Sequence, residues 1–190
     1  AYSFDGSDDL LRSGGGSILD TPSFSIGLWL KASWSNAGEV TSNPLIIGKR
    51  KTSSPHTYPN TRYSIHARGE RTSIGIYQGS SWTTVNGALP AHSWVHLTVT
   101  GDSSGTSFHL DGILVGSLSQ SLSDATSLPL LIGGAPNTGE HFKGSIDEVR
   151  IYDRALSAAE VAALHQLEGA APGGLAPDNF VGWTLSLASS

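Results

Sequence analysis

Apolar residues recur at every second position through most of this chain, and that period places strands. In Phe24 to Ala32 (FSIGLWLKA), Phe24, Ile26, Leu28 and Leu30 share one side, with Ser25, Gly27, Trp29 and Lys31 on the other. A period of two is the signature of a strand with one buried face. Trp94 to Thr100 repeats it, with Val95, Leu97 and Val99 inward and Trp94, His96 and Thr98 outward. Arg62 to Arg68 and Ser73 to Gln78 add Tyr63, Ile65, Ala67, Ile74 and Ile76 to the same core. Shorter strands are predicted at Ala1 to Phe4, Pro44 to Lys49, Leu130 to Ile132 and Phe180 to Leu187. Phe108 to Leu110 and Ile113 to Val115 flank Asp111-Gly112, a strong hairpin signal.

One stretch breaks the rule. Ile146 to Tyr152 reads as a strand, and simple alternation puts Asp147 on the same side as Val149 and Ile151. Ser157-Ala158-Ala159-Glu160 then forms a capping box that starts a short helix, with Val161 and Leu164 on one side of it. Many short strands and a single brief helix near the C-terminus predict an all-β fold, a two-sheet antiparallel β-sandwich. The 190 residues fit one domain spanning 1–190. Within it, 169–178 (from Gly169, rich in Gly, Ala and Pro) reads as a connector and 179–190 as a final strand or tail.

Composition narrows the chemistry. A net charge of −5 argues against a nucleic-acid partner, and no apolar run is long enough to insert in a membrane. Cysteine is absent, which removes disulfides, thiol nucleophiles and Cys-based zinc sites. Methionine is absent too, initiator included, so the chain is expected to be a piece of a longer protein.

Five segments in order, YSFDGSDD, FSIGLWLKA, SWVHLTVTGD, SFHLDGILVG and FKGSIDEVRIYDRALSAAEV, resemble the laminin-G-like, jelly-roll domains of the concanavalin A-like lectin/glucanase superfamily. The resemblance covers about residues 1 to 166 and implies two antiparallel sheets with loops at the rim. It also implies a calcium ion near the junction of the first and last strands. Asp5, in the first turn, and Asp147 are the metal ligands expected there, since a hard cation takes carboxylate and carbonyl oxygens. The Asp5–Asp9 run lacks the Gly and distal Glu of an EF-hand.

Rings and cations on outward positions are the candidate ligand surface. His66, Tyr77 and His109 face away from the core by alternation, and Arg62 and Arg68 share the His66 side. Tyr58 and Trp82, with His56, sit in or beside polar segments between strands, where binding residues concentrate. Trp34, just past the best strand, offers the same option. Each ring also has a plainer role, pinning its loop to the sheet. Trp29 and Trp94 fall where the family carries a Trp whatever its ligand, and both are expected to be structural.

Catalytic patterns are missing. Asp147 and Glu148 are adjacent on a strand and point to opposite faces, so they cannot flank one bond. No strand-to-helix nucleophile elbow or oriented Ser-His-Asp set is evident, and Ser13-Gly14-Gly15-Gly16-Ser17 lacks the lysine of a phosphate loop. The expected function is a non-catalytic carbohydrate-binding module, secreted or on a bacterial cell surface, serving a larger polysaccharide-acting protein. Its arginines and histidines point to an acidic or sulfated glycan. The alternative is a protein–protein adhesion or assembly domain that binds no sugar.

Overall fold

The computed structural model describes residues 1–14, 20–34, 43–51, 61–68, 73–78, 81–85, 89–119, 128–169 and 186–187. In chain order the strands are β1 (Tyr2–Asp5), β2 (Leu11–Arg12), β3 (Phe24–Ala32), β4 (Leu45–Arg50), β5 (Thr61–Arg68), β6 (Ser73–Gln78) and β7 (Ser81–Val85). They continue as β8 (Trp94–Asp102), β9 (Gly105–Leu110), β10 (Ile113–Leu118), β11 (Leu130–Ile132) and β12 (Lys143–Tyr152). The helix α1 (Ala158–Glu168) and β13 (Ser186–Leu187) close the series. Tyr58, the rest of the 52–60 loop and most of the 169–178 connector lie outside the described residues.

The strands form two antiparallel sheets, ordered β1-β12-β3-β8-β9-β10 and β13-β2-β11-β4-β5-β6-β7. Their apolar faces meet in one core, as alternation requires. Phe24 of β3 stacks on Tyr63 of β5 across the gap, ring centroids 5.3 Å apart and nearly parallel. Ile26, Leu28 and Leu30 are buried with Ile65, Ile74, Val95, Leu97 and Val99 in the same cluster. Trp34 is not a loop platform: it is buried there with its ring against Phe142. Asp111 and Gly112 both adopt positive φ, 50° and 77°, and Leu110 pairs with Ile113. Two consecutive positive φ values are what a tight two-residue hairpin needs, and an Asp-Gly pair supplies them at low cost.

Asp147 departs from the expected alternation. Trp29 pairs with Asp147 and Gly27 with Arg150, so Glu148 and Val149 together face Leu28. That is a β-bulge, with Glu148 at a φ of 49°. The extra residue keeps Ile146, Val149 and Ile151 against the core and turns Asp147 to the outer face beside Trp29. Counting in twos across the bulge had placed it inward.

Helix α1 packs across that outer face. Ser157 accepts from the Glu160 amide while Glu160 accepts from the Ser157 amide, the reciprocal cap that the sequence predicts. Val161 and Leu164 are buried with Leu156 against Tyr152. A Cβ at Gly27 would come within 3.3 Å of the Leu164 side chain, so the bare position lets the helix lie close to β3.

Candidate functional site

The outer face of the seven-stranded sheet collects four of the residues selected from sequence. Register does the gathering: Ser64 pairs with Tyr77, Tyr77 with Trp82, and His66 with Gly75. Directly paired residues point to the same side of a sheet. Trp82 is therefore a strand residue of β7 rather than a loop ring. Its indole lies 5.0 Å from the Tyr77 ring and 4.8 Å from the His66 imidazole, which meets it edge-on. Arg68 completes the group, its guanidinium carbon 4.1 Å from the Trp82 centroid. Gly75 makes room, because a Cβ there would sit 2.3 Å from the Arg68 Cγ.

Beneath the rings runs a buried polar chain that the sequence reading missed. Arg50 Nη1 donates to Ser64 Oγ at 3.3 Å and pairs with Glu140 Oε2 at 2.8 Å. Ser64 Oγ is 2.5 Å from His66 Nε2, and His66 Nδ1 is 2.9 Å from the Asn43 carbonyl. A carbonyl can only accept, so Nδ1 carries the proton; in the neutral imidazole Nε2 then accepts from the Ser64 hydroxyl. His66 is thus held as part of a network and is fully buried. Burial depresses the Arg50 pKa, while Glu140 and Tyr77 oppose that shift. Among the described residues this face carries Arg50, paired with Glu140, and Arg68, over the Trp82 ring, in an acidic protein. No short-range signal could have revealed it, since Arg50 and Glu140 lie far apart in the chain. The Glu140 carbonyl accepts from the Leu45 amide at 3.0 Å, and that bond holds its loop against β4.

The other selected residues do not join this group. His109 belongs to β9, in the other sheet, and is buried there; burial lowers its pKa. An outward position on that sheet is not an accessible one. Arg62 falls within β5, and of it only the backbone is described. Tyr58 lies outside the described residues.

Asp5 and Asp147 are not neighbours. The β1–β12 register opposes Tyr2 to Ile146 and Asp5 to Lys143, which sets the two carboxylates at opposite ends of β1. Four residues of strand span about 13 Å, too far for one ion. Asp147 Oδ2 instead lies 3.2 Å from the Ala1 nitrogen. Asp5 is grouped with Asp8 and Asp9, one oxygen of each within 4.8 Å of the others, all three exposed. Part of that grouping is local turn chemistry: Asp9 accepts from the Asp5 amide and Asp5 from the Ser7 amide.

The outer face of the six-stranded sheet holds a second ring cluster. Trp29, His96 and the helix residue His165 lie 5.2 to 5.7 Å apart, and Trp29 and His96 are buried. Burial drives the His96 pKa down to about 4, assisted by Arg150 and opposed by Asp111. This cluster seats the helix, as expected for Trp29. Trp94 lies partly buried under Lys31. Beyond the helix, a cleft of about 360 Å³ is lined by Thr100, Asp102, Ser107 and Ser117, with neither a ring nor a cation in its walls.

A family model described as the concanavalin A-like lectin/glucanases superfamily matches residues 5–162. No curated protein matches the chain. Among solved structures, one similar fold is domain 4 of AbnA, a GH43 extracellular arabinanase from Geobacillus stearothermophilus, in complex with arabinotriose. It superposes at a TM-score of 0.66 and 20% identity, covering 86% of this chain and 75% of that one. A native heptameric SAP-like pentraxin from Limulus polyphemus gives 0.70 at 13% identity, covering 99% and 91%. The botulinum neurotoxin serotype G binding domain gives 0.63 at 14% identity, covering 85% of this chain and 41% of that one. At these identities the likeness is one of fold.

Proposed function

This chain belongs to the concanavalin A-like lectin/glucanases superfamily, and from that premise we propose that it is a non-catalytic carbohydrate-binding module of an extracellular protein. The observation that carries this reading is the convergence of Trp82, Tyr77 and Arg68 on one sheet face. Aromatic rings offer flat apolar surface to sugar rings, and guanidinium groups donate to hydroxyls and anionic substituents. Arg68 and Arg50 favour an acidic or sulfated glycan over a neutral one. The arabinotriose complex of the arabinanase domain supports sugar binding as a use of this fold. Against catalysis stands the composition of the face: Glu140 is its one described carboxylate, and it is paired with Arg50. Glycoside hydrolysis uses two.

Calcium remains part of the proposal, with a different ligand set. Three clustered carboxylates are a hard-oxygen donor group of the kind a calcium ion takes, so Asp5, Asp8 and Asp9 would hold it and Asp147 would not. Its contribution would be to brace the first turn, remote from the rings.

The test is binding to a polysaccharide and glycan panel in calcium and again in chelator. Selective binding that is lost in Trp82→Ala supports the module. Silence across the panel from folded protein overturns it. One observation favours the adhesion alternative: Ile113 and Leu114, on the edge strand β10, are 69% and 57% exposed. A protein partner whose binding depends on those two residues, with no sugar bound, would establish that reading.

A further inference from the structure

Arg50 uses only part of its hydrogen-bonding capacity. Its residue exposure is 1%, and its Nη1 end meets Glu140 and Ser64. Nε and Nη2 are buried and have no partner among the described residues. A buried charged donor without an acceptor is costly, so native interiors rarely leave one idle. The idle atoms are also a particular pair. Nε–H and the Nη2–H beside it form the lateral edge of the guanidinium, two parallel donors spaced for the two oxygens of one carboxylate. Glu140 does not occupy that edge, because it engages the Nη1 end. Arg68, on the same sheet face, likewise has its Nε buried and without a partner among the described residues.

We propose that the Nε/Nη2 edge of Arg50 receives a carboxylate from the ligand, making the preferred glycan one that carries uronic acids. This rests on the reading of this face as the sugar site and narrows it. A planar two-oxygen anion matches a single planar edge. A sulfate ester spreads its charge over three oxygens in three directions, and the described donors here do not surround it. Glu140 at the opposite end repels a second anion from Nη1, which orients the incoming carboxylate toward the free edge. Because the edge lies below the surface, a carboxylate reaches it only after a neighbouring side chain shifts. The pairing then forms away from bulk water, where a charged hydrogen bond discriminates most strongly.

The experiment compares the parent with Arg50→Lys, which keeps the charge and loses the fork. Both are titrated with polygalacturonate, its methyl ester and dextran sulfate. In parallel, the Nε–H resonance of Arg50 in the parent is followed by NMR as glucuronate or its methyl ester is added. A parent preference of about tenfold or more for the acid over both other polymers, largely lost in Arg50→Lys, is expected, since one charged bidentate contact is worth that much. The Arg50 resonance is expected to move with glucuronate and not with its ester. Equal binding of acid and ester, a preference for dextran sulfate, or a preference that survives in Arg50→Lys overturns the proposal. So does an unmoved Arg50 resonance, which needs no variant to fold. Neutral polymers binding with that resonance unmoved would leave the module reading standing and remove this one. A resonance that responds to glucuronate while every polysaccharide fails would remove both readings, because the proposal requires a uronic-acid polymer to bind.

Discussion

The Arg68 side chain lies across Gly75 and sets its guanidinium 4.1 Å from the centroid of the Trp82 ring. One strand, β6, separates these residues in sequence order, and the bare Cα of Gly75 between them makes the contact possible. Gly75→Ala should therefore act on the ligand face before it acts on the fold. The new methyl would overlap the flexible Arg68 stem rather than backbone, and Gly75 needs no positive φ. Arg68 should leave the indole, Trp82 fluorescence should change, and glycan affinity should fall about tenfold, the worth of a good cation–π contact. Unchanged fluorescence and affinity would show that Arg68 adapts in place.

His96 makes the protein acid-sensitive. Its folded pKa is about 4 against a free value of 6.5, because burial penalises the cation. The unfolded chain therefore binds more protons than the folded one between those values. Stability is fully present above pH 6.5 and falls as pH drops toward 4, by about 3 kcal/mol for a shift of this size. Among the described residues, the charged or titratable groups that bear on it include Asp111, Arg150 and His165. His109, also depressed by burial, acts in the same direction. Urea unfolding at pH 7 and pH 4.5 measures the loss, and His96→Gln should flatten it. A parent equally stable at both pH values would contradict the assignment.

Much of this fold is legible from period-two patterning, because a strand with one buried face writes its burial directly into sequence. Phe24, Ile26, Leu28 and Leu30 illustrate it. The same logic failed where the backbone left that period. Asp147 was read on the core side because Glu148 adds an extra residue to β12, and nothing in IDEV announces a bulge. Alternation also reports direction without accessibility, so His66 and His109 point outward yet are buried. Trp82 was missed as a strand residue because β7 carries mostly Ser and Thr around it. The Arg50–Glu140 pair is a tertiary fact, and no local pattern encodes a contact between β4 and the loop before β12.

The helix should depend on its cap. Ser157→Ala removes the acceptor for the Glu160 amide and should cost about 1 kcal/mol in urea unfolding. Acid should loosen the same turn. Glu160 has its pKa lowered to about 2, first by Arg154 and then by Ser157, so its contribution is present above the free value of 4.5 and is lost as pH falls toward 2. Hydrogen exchange at the first-turn amides of α1 would register both changes. Unaltered protection in Ser157→Ala would show that packing by Val161 and Leu164 alone sets the helix.

Calcium, where bound, should act through Asp8. That carboxylate is exposed and sits with Asp5 and Asp9, whereas Asp5 and Asp9 also accept backbone amides. Asp8→Asn should leave the melting temperature in chelator unchanged and abolish the rise that calcium produces in the parent. Asp147→Ala should leave the calcium-dependent rise intact. A parent that melts identically in calcium and chelator would remove the ion from the proposal.

Glu140→Ala and Arg50→Met should have unequal costs although they break the same pair. Removing Glu140 strands a guanidinium that is 1% exposed, with Ser64 as its remaining described partner. An uncompensated buried charge of that kind costs about 3 kcal/mol or more. Removing Arg50 strands a carboxylate whose Oε2 is buried but whose side chain as a whole keeps 17% exposure, so it is less enclosed than the guanidinium, and the thioether fills part of the space. The arginine substitution should therefore be the milder, and the double variant should recover much of what Glu140→Ala loses. Acetate should raise the melting temperature of Glu140→Ala more than that of Arg50→Met, because a carboxylate in solution can replace the missing partner. Equal losses in the two single variants, with no acetate effect, would mean that the pair contributes through packing rather than charge.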